Sequence, residues 1–562
     1  MYIDLLKTWC DGLIEHQLSG IGNENFDGGI MCPSCKLIHG RCPDAVYPMM
    51  YLANKTGEAK YMDAARKLFA WHKNLLCDDG SVYNDANSVW RGITVFSATA
   101  LYEALHYHSN LLEAKEKVEW EERLKGMGNW LHDNLNESTP TNINYMATNA
   151  AALSFIGNYF NNQKFLTRAR ELAYFVLDRF TEDGILYGEG KPIDTITKRG
   201  CRPIDIGYNV EESVPSLLKY AIAQSDNDAL KRLKTILHQQ IDFFMPDGAW
   251  DNSMGSRNNK WTYWGSRTSD GCAGGYGLMH EEPIFAEVAH RNIALMARCT
   301  KNGLLYGGPD YEKAGEPPCI HHTFTHANAL TAALEAGLTE PAGRTALVCD
   351  APKPIRYFKE LDTWKLAVKD MQATVTGYDF SLEAGHASGG TITLLWHKKT
   401  GPILASSMVD YWLPERLNMQ LSLKTHRHRS ITPRLELFKD DVRYSQCYDT
   451  GSDIKVTQAG EEIKVEVSAS LVTLDQQRLE RDCLCLLEYT IAADRLTIEG
   501  RVQGNSEGCK FVLPVIAPQA KVSTTPQAKT VEDIFFLSGG FTAREFVIEP
   551  DDMGCFSAVI VV

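Results

Sequence analysis

Along roughly the first 340 residues, apolar side chains return every three to four positions; beyond residue 355 they return every second one. The first spacing is that of a helix buried along one stripe, the second that of a strand with one face covered. Helices are predicted over Tyr61 to Leu76, Val89 to Tyr107, Val118 to Leu135, Asn149 to Phe160, Phe165 to Phe180, Val214 to Ala223, Leu230 to Phe244 and Pro283 to Cys299. Asn87-Ser88 and Ser225-Asp226 supply the side-chain oxygens that open helices. Strands are predicted over Ala373 to Phe380, Gly390 to Trp396, Ile454 to Thr457, Ile463 to Ser468, Leu486 to Ile491 and Arg495 to Gly500. Paired helices with short loops close into an (α/α)6 toroid, complete or incomplete, with a weak fifth inner helix. The fold class is therefore α then β. A toroid over 1–340 is followed by a Pro- and Ala-rich linker over 341–355 and an antiparallel β-sandwich over 356–562.

A second pattern overlays the helical one. Acidic-glycine turns followed by an apolar or aromatic residue stand at Asp27-Gly28, Asp79-Gly80, Asp183-Gly184, Asp247-Gly248 and, with asparagine, Asn302-Gly303. Their period is roughly fifty residues, with a double interval after Asp79, the mark of one supersecondary unit repeated around an axis. Such loops should gather at one end of the assembly and form a cleft.

Composition narrows the field. A formal charge of −14 without a basic stripe argues against nucleic acid as a partner. No apolar run reaches membrane-spanning length. The chain opens with an amphipathic helix and no export signal, so a periplasmic or secreted location implies a signal already removed; a cytoplasmic one is the alternative. Fifteen scattered cysteines do not form a disulfide framework. One group stands apart: Cys32, Cys35 and Cys42, with His39 among them, could hold zinc. The wider separation usual between two ligand pairs is missing, so the expectation is that no cofactor is required.

The starts of the inner helices carry the candidate chemistry. In order these are His39, Arg41 and Asp44; Trp90 and Arg91; Asn142, Asn144 and Tyr145; Tyr208, Asn209 and Glu212; the segment Trp261 to Arg267 with Tyr263 and Trp264; and His321, His322 and His326. Helix N-termini and the arginines 41, 91, 199, 202, 257 and 267 suit an anionic ligand, and flat aromatic rings suit a sugar. For any single arginine, pairing with a neighbouring acid is the commoner explanation; six together are harder to dismiss. His322 and His326 share a helix face, yet no third metal ligand is evident. His426 and His428 are further histidines of the sandwich.

With Gly207 to Glu212, Lys260 to Arg267, Ala373 to Phe380 and Gly390 to His397 in view, the chain resembles the heparinase II/III-like polysaccharide lyases. Among them it is most similar to the L-rhamnose-α-1,4-D-glucuronate lyases, which remove terminal rhamnose from arabinogalactan. The resemblance implies β-elimination at a uronic acid, leaving a 4,5-unsaturated uronate. It assigns Asn209 to neutralising the carboxylate, with Arg267 assisting, Tyr263 to proton transfer and His322 or His39 to a partner base. His39, Arg41, Trp90, Arg91, Asn144, Tyr208, Glu212, Trp264 and His321 would then bind an anionic, uronate-containing glycan. Two other readings remain: an inverting glycoside hydrolase using two of Asp44, Asp85, Glu212, Asp251 and Asp270, and a non-catalytic glycan-binding protein.

Overall fold

A computed structural model describes residues 1–84, 89–267, 274–315, 317–380, 386–406, 408–409, 430–479, 483–536 and 540–562. Asp85, Asp270, His426, His428 and the Asn87-Ser88 cap lie outside the described residues.

The helices are α1 (Tyr2–Glu15), α2 (Val46–Thr56), α3 (Ala59–His72), α4 (Thr94–His108), α5 (Ala114–Asn134), α6 (Asn144–Tyr159), α7 (Gln163–Leu177), α8 (Ile206–Tyr208), α9 (Val214–Ala223), α10 (Asn227–Gln240), α11 (Gly274–Leu278), α12 (Pro283–Arg298) and α13 (Ile320–Glu335). Helices α2, α4, α6, α9, α11 and α13 form the inner ring, each touching the next, with α13 returning to α2. The toroid is thus complete. Its last hairpin is made by opposite ends of the domain, α13 packing on the N-terminal α1. The inner helices α4 and α6 are buried almost all round, whereas the outer α1, α7 and α10 bury one stripe. The weak fifth inner helix is α11, a single five-residue turn.

The acidic-glycine turns prove to be joints. Gly28, Gly80, Gly184, Gly248 and Gly303 all have positive φ, and each presses on the outer helix of the next repeat. A Cβ on Gly80 would meet the Gly126 carbonyl of α5 at 2.5 Å, and one on Gly248 the Arg291 carbonyl of α12 at 2.2 Å. The left-handed backbone and the missing side chain are both required. Gly248→Ala should therefore cost about 2–4 kcal/mol, summing conformational strain and overpacking. Gly57→Ala, at a helix end where φ is 71° and nothing lies within 4 Å, should cost only the strain, about 1 kcal/mol. Thermal unfolding of both variants measures the difference.

After each turn the chain runs inward, and an inner-helix side chain fastens it. The Val82 N–H donates to Thr94 Oγ1 (2.8 Å), Leu305 N–H to Thr323 Oγ1 (3.0 Å) and Leu186 N–H to Asn209 Oδ1 (2.6 Å). All three acceptors do the same job, at the starts of the second, fourth and sixth inner helices.

The second half is built of antiparallel sheets, as expected, and its described residues form three of them. The first orders Ile355–Phe358, Thr363–Val368, Met371–Thr376, Thr391–His397 and Gly401–Ala405. The second orders Asp453–Ala459, Glu462–Ser470, Cys483–Ile491, Arg495–Gly504, Cys555–Val561 and Lys521–Thr525. The third orders Val442–Ser445, Arg434–Lys439, Lys510–Val515, Phe541–Ile548 and Lys529–Phe536, and meets the first through Ile516 N–H on the Ile403 carbonyl. Leu366, Leu395, Val465, Leu487, Phe511 and Leu513 share the core between them. The first sheet is covered on both faces. Leu395 points into that core, while its neighbours Leu394 and Trp396 join the toroid core.

Ion pairs fasten this junction. Lys365 reaches Asp251 at 2.6 Å, Arg356 spans Asp183 and Asp242, and Arg199 holds Asp362 while donating to the Ser452 carbonyl.

Candidate active site

The inner helices bring a compact polar group to the mouth of the ring. Tyr208 ends α8, where Asp205 accepts its backbone N–H at 2.8 Å. The next five residues, Asn209–Ser213, are π-helical. Pro215 explains the wider turn: it has no N–H to give the Glu211 carbonyl, and its ring would collide there in an α-helix. Arg257 lies over the Tyr208 ring, its guanidinium carbon 4.1 Å from the centroid, and Lys260 Nζ stands 3.4 Å from the Tyr208 hydroxyl. The phenol therefore sits between two cations.

Arg257 Nη1 also pairs with Glu189 at 3.3 Å, and Glu189 accepts the Asn144 N–H at 3.2 Å. Burial pushes the Glu189 carboxyl up to about 7, although Arg257 opposes the rise. Asn144 Nδ2 donates to Glu212, while the buried Asn144 Oδ1 has no partner among the described residues. Tyr145 accepts from Trp90 Nε1 at 2.9 Å; burial first, then Glu212, pushes its hydroxyl up to about 12 and keeps it protonated. Arg41 stacks on Phe96 and binds Asp44 through two nitrogens, at 2.9 and 2.8 Å. Below these groups a cavity lined by Arg41, Phe96, Glu211, Glu212, Lys219 and Asn328 continues along the ring axis. His321 lies nearby; burial, then Arg41 and His39, hold its imidazole neutral.

Arg41, Trp90, Asn144, Tyr208, Glu212 and His321 are thus gathered as the helix starts suggested. Other expectations need correction. Asn209 cannot neutralise a carboxylate, because its amide is spent on Leu186 N–H, the Leu186 carbonyl and the Asp205 carbonyl. Tyr263 is 2% exposed, donates to Asp247 at 2.7 Å and packs edge-on against Phe541 of the third sheet. Burial, then Asp247, hold its pKa well above the ordinary phenol value. It is a bolt of the domain junction.

Trp264 is fully buried, donates to the Tyr306 carbonyl and lies against His322 and His326, so it offers no face to a sugar. His322 is fully buried beside Arg267, and burial drives it well below its usual pKa; its ring is no poised base. Both of its nitrogens, and Nε and Nη1 of Arg267, lack partners among the described residues. Arg91 is occupied at the outer turn by Asp79, Ser81 and Tyr83. Four of the six arginines carry their own acids, Arg41 with Asp44, Arg91 with Asp79, Arg199 with Asp362 and Arg257 with Glu189, so they do not add up to the expected excess of positive charge.

Arg257 was one of six arginines noted in the sequence and Lys260 opened a quoted motif, but neither was given a role of its own, and Glu189 was not singled out at all. Arg257 and Lys260 stood three residues apart within an aromatic-rich segment, which was the available signal. Glu189, between two glycines of a long loop, carried none.

His39 is also diverted from substrate. Its Nε2 lies 3.4 Å from Cys319 Sγ, and Cys32, Cys35, His39 and Cys319 place their ligand atoms within 4.8 Å of one another. Cys42 is not in this group; it is buried in the toroid core, with Ile30 as its backbone partner. The fourth position belongs to Cys319, far away in sequence.

Comparison with known proteins places this architecture. The Ulvan lyase N-terminal domain family matches residues 6–349, and the Ulvan lyase C-terminal domain family matches residues 355–533. A broad-specificity ulvan lyase of Formosa agariphila is 38% identical over 532 residues, covering 92% of this chain and 82% of that protein. A chondroitin AC lyase of Streptomyces coelicolor A3, solved with chondroitin sulphate, superposes with a TM-score of 0.56 at 11% identity, over 100% of this chain and 79% of that one. It shares the fold of toroid followed by antiparallel sheets. Matched in both halves, and by a relative over nearly its whole length, the chain belongs to the ulvan lyase family and is a polysaccharide lyase.

Proposed function

We propose that this lyase cleaves ulvan-like glycans, rhamnose- and uronate-containing polyanions, by β-elimination at the uronate, with Tyr208 as the proton-transfer group. The observation that carries the reading is the Tyr208 phenol, buried where an inner helix begins and held between Arg257 and Lys260. Abstraction of the ring proton next to a carboxylate builds enolate charge, which pre-placed cations stabilise without reorganising. The same cations favour an ionised phenol able to take that proton. Once protonated, Tyr208 can return a proton to the departing glycosidic oxygen. Arg257, which stacks on Tyr208 and also pairs with Glu189, is the group for the substrate carboxylate. Trp90 and Tyr145 offer aromatic surface beside it.

A hydrolase would need two carboxylates flanking water. Asp251 is locked under Lys365 and Thr374, and Asp44 under Arg41, which counts against that alternative. A charged polymer does not cross a bilayer, which supports work in the periplasm or outside the cell. Incubation with ulvan should give steadily growing ultraviolet absorbance from the conjugated 4,5-unsaturated uronate. Reducing ends without that absorbance would instead mean hydrolysis, and the elimination reading would fall.

A further inference from the structure

The loop between α1 and α2 forms a small knuckle. Met31 and Ile38 pair across it, Cys32 N–H donates to the Leu37 carbonyl, and Lys36 N–H turns back to the Cys32 carbonyl at 3.0 Å. Lys36 makes that reversal with φ of 57°. The Cys35 N–H points at Cys32 Sγ, 3.2 Å away, an arrangement that stabilises a thiolate. Opposite the knuckle stands Cys319, the residue that opens α13. Its sulfur is 3.8 Å from Cys32 Sγ, 3.6 Å from Cys35 Sγ and 3.4 Å from His39 Nε2.

These three separations match edges of a metal-ligand tetrahedron, and all four ligand atoms lie within 4.8 Å of one another. With zinc–sulfur bonds of about 2.3 Å and zinc–nitrogen bonds of about 2.0 Å, tetrahedral geometry sets sulfurs about 3.8 Å apart and sulfur from nitrogen about 3.5 Å. A disulfide would need sulfurs about 2.05 Å apart. Cys32 and Cys319 are fully buried and His39 is nearly so, which matches a closed structural site more than an open catalytic one.

We propose that Cys32, Cys35, His39 and Cys319 bind one zinc ion. Three thiols lose their protons and a neutral imidazole completes the shell, so binding releases up to three protons to solvent. The ion joins the first inter-helix loop to the last inner helix, residues 280 to 287 positions apart. It clamps the ring where the two ends of the toroid meet. It also fixes the first turn of α13, two residues before His321 at the candidate active site.

The test uses the full chain purified without chelator. Elemental analysis should find one zinc per chain, and cobalt(II) exchanged into the site should give the intense thiolate-to-metal charge-transfer and tetrahedral d–d bands of a sulfur-rich site. Removing zinc from the wild-type chain should make Cys32, Cys35 and Cys319 newly reactive to alkylation, as mapped by mass spectrometry, and should lower Tm. Cys319→Ser should lose the metal while Cys42→Ser keeps it. Should Cys319→Ser fail to fold, the wild-type alkylation map still decides. The proposal is overturned if the wild-type chain neither contains nor takes up zinc or cobalt, if the three thiols react alike with and without chelator, or if two of them are joined in a disulfide.

Discussion

Tyr208→Phe is expected to lower kcat on ulvan by about 10³-fold or more, with KM moving by less than a factor of a few. The substitution removes one oxygen and keeps the ring beneath Arg257, so carboxylate binding and stacking survive while proton transfer does not. A loss of about 10³ equals about 4 kcal/mol of barrier, within the range for a single group serving as base and then acid. Tyr263→Phe is the control. That hydroxyl meets Asp247 at the domain junction, so its removal should cost about 1–2 kcal/mol of stability and leave kcat nearly unchanged. The ultraviolet assay on both variants, with Tm for each, separates chemistry from folding. If Tyr263→Phe loses turnover at unchanged Tm while Tyr208→Phe stays active, the roles given to the two tyrosines are reversed.

The second large effect concerns stability. Asp251 is fully buried and accepts from Lys365 at 2.6 Å, Thr374 at 2.5 Å and Ser253 at 2.7 Å, uniting the toroid with the first sheet. Asp251→Asn should cost about 3–5 kcal/mol, because it strands the Lys365 ammonium without its counter-charge. Burial works against the Asp251 charge, yet Lys365 and the hydroxyl donors outweigh it and hold the carboxyl below its ordinary value. A depressed acid stabilises the fold above its unfolded pKa, about 3.9, and loses that contribution as pH falls through the lower folded value. The gap in Tm between wild type and variant should be full at neutral pH and shrink below about pH 4. A gap that persisted unchanged into strong acid would show that Asp251 acts through packing and not through its charge.

Helix α2 shows where the hydrophobic pattern fails. Val46 to Ala53 are all buried, so no polar stripe marks the period, and the segment escaped the amphipathic reading that found α7 and α10. The Asp226 side chain, in contrast, caps α10 as its place before the helix implied. The acidic-glycine repeats were legible as repeats, but their purpose was not. They read as the lip of a cleft, yet each seats one hairpin against the next, and Asn209 belongs with Thr94 and Thr323 in fastening them. A repeat position and a catalytic position look alike when both open an inner helix with a polar residue.

Local spacing set by the backbone was therefore enough to establish six hairpins, alternating strands and polar helix starts facing a common axis. Helical and pleated periods are properties of neighbouring residues, and a chain carries them in order. Partnership across the ring is not written that way. Only closure of the toroid set Tyr208 under Arg257, sent Tyr263 outward to Phe541, and exchanged Cys42 for Cys319 beside Cys32, Cys35 and His39. Those choices depend on which side chains meet after hundreds of intervening residues have packed, and burial, which decides who keeps a charge or a free hydrogen bond, exists only once they have.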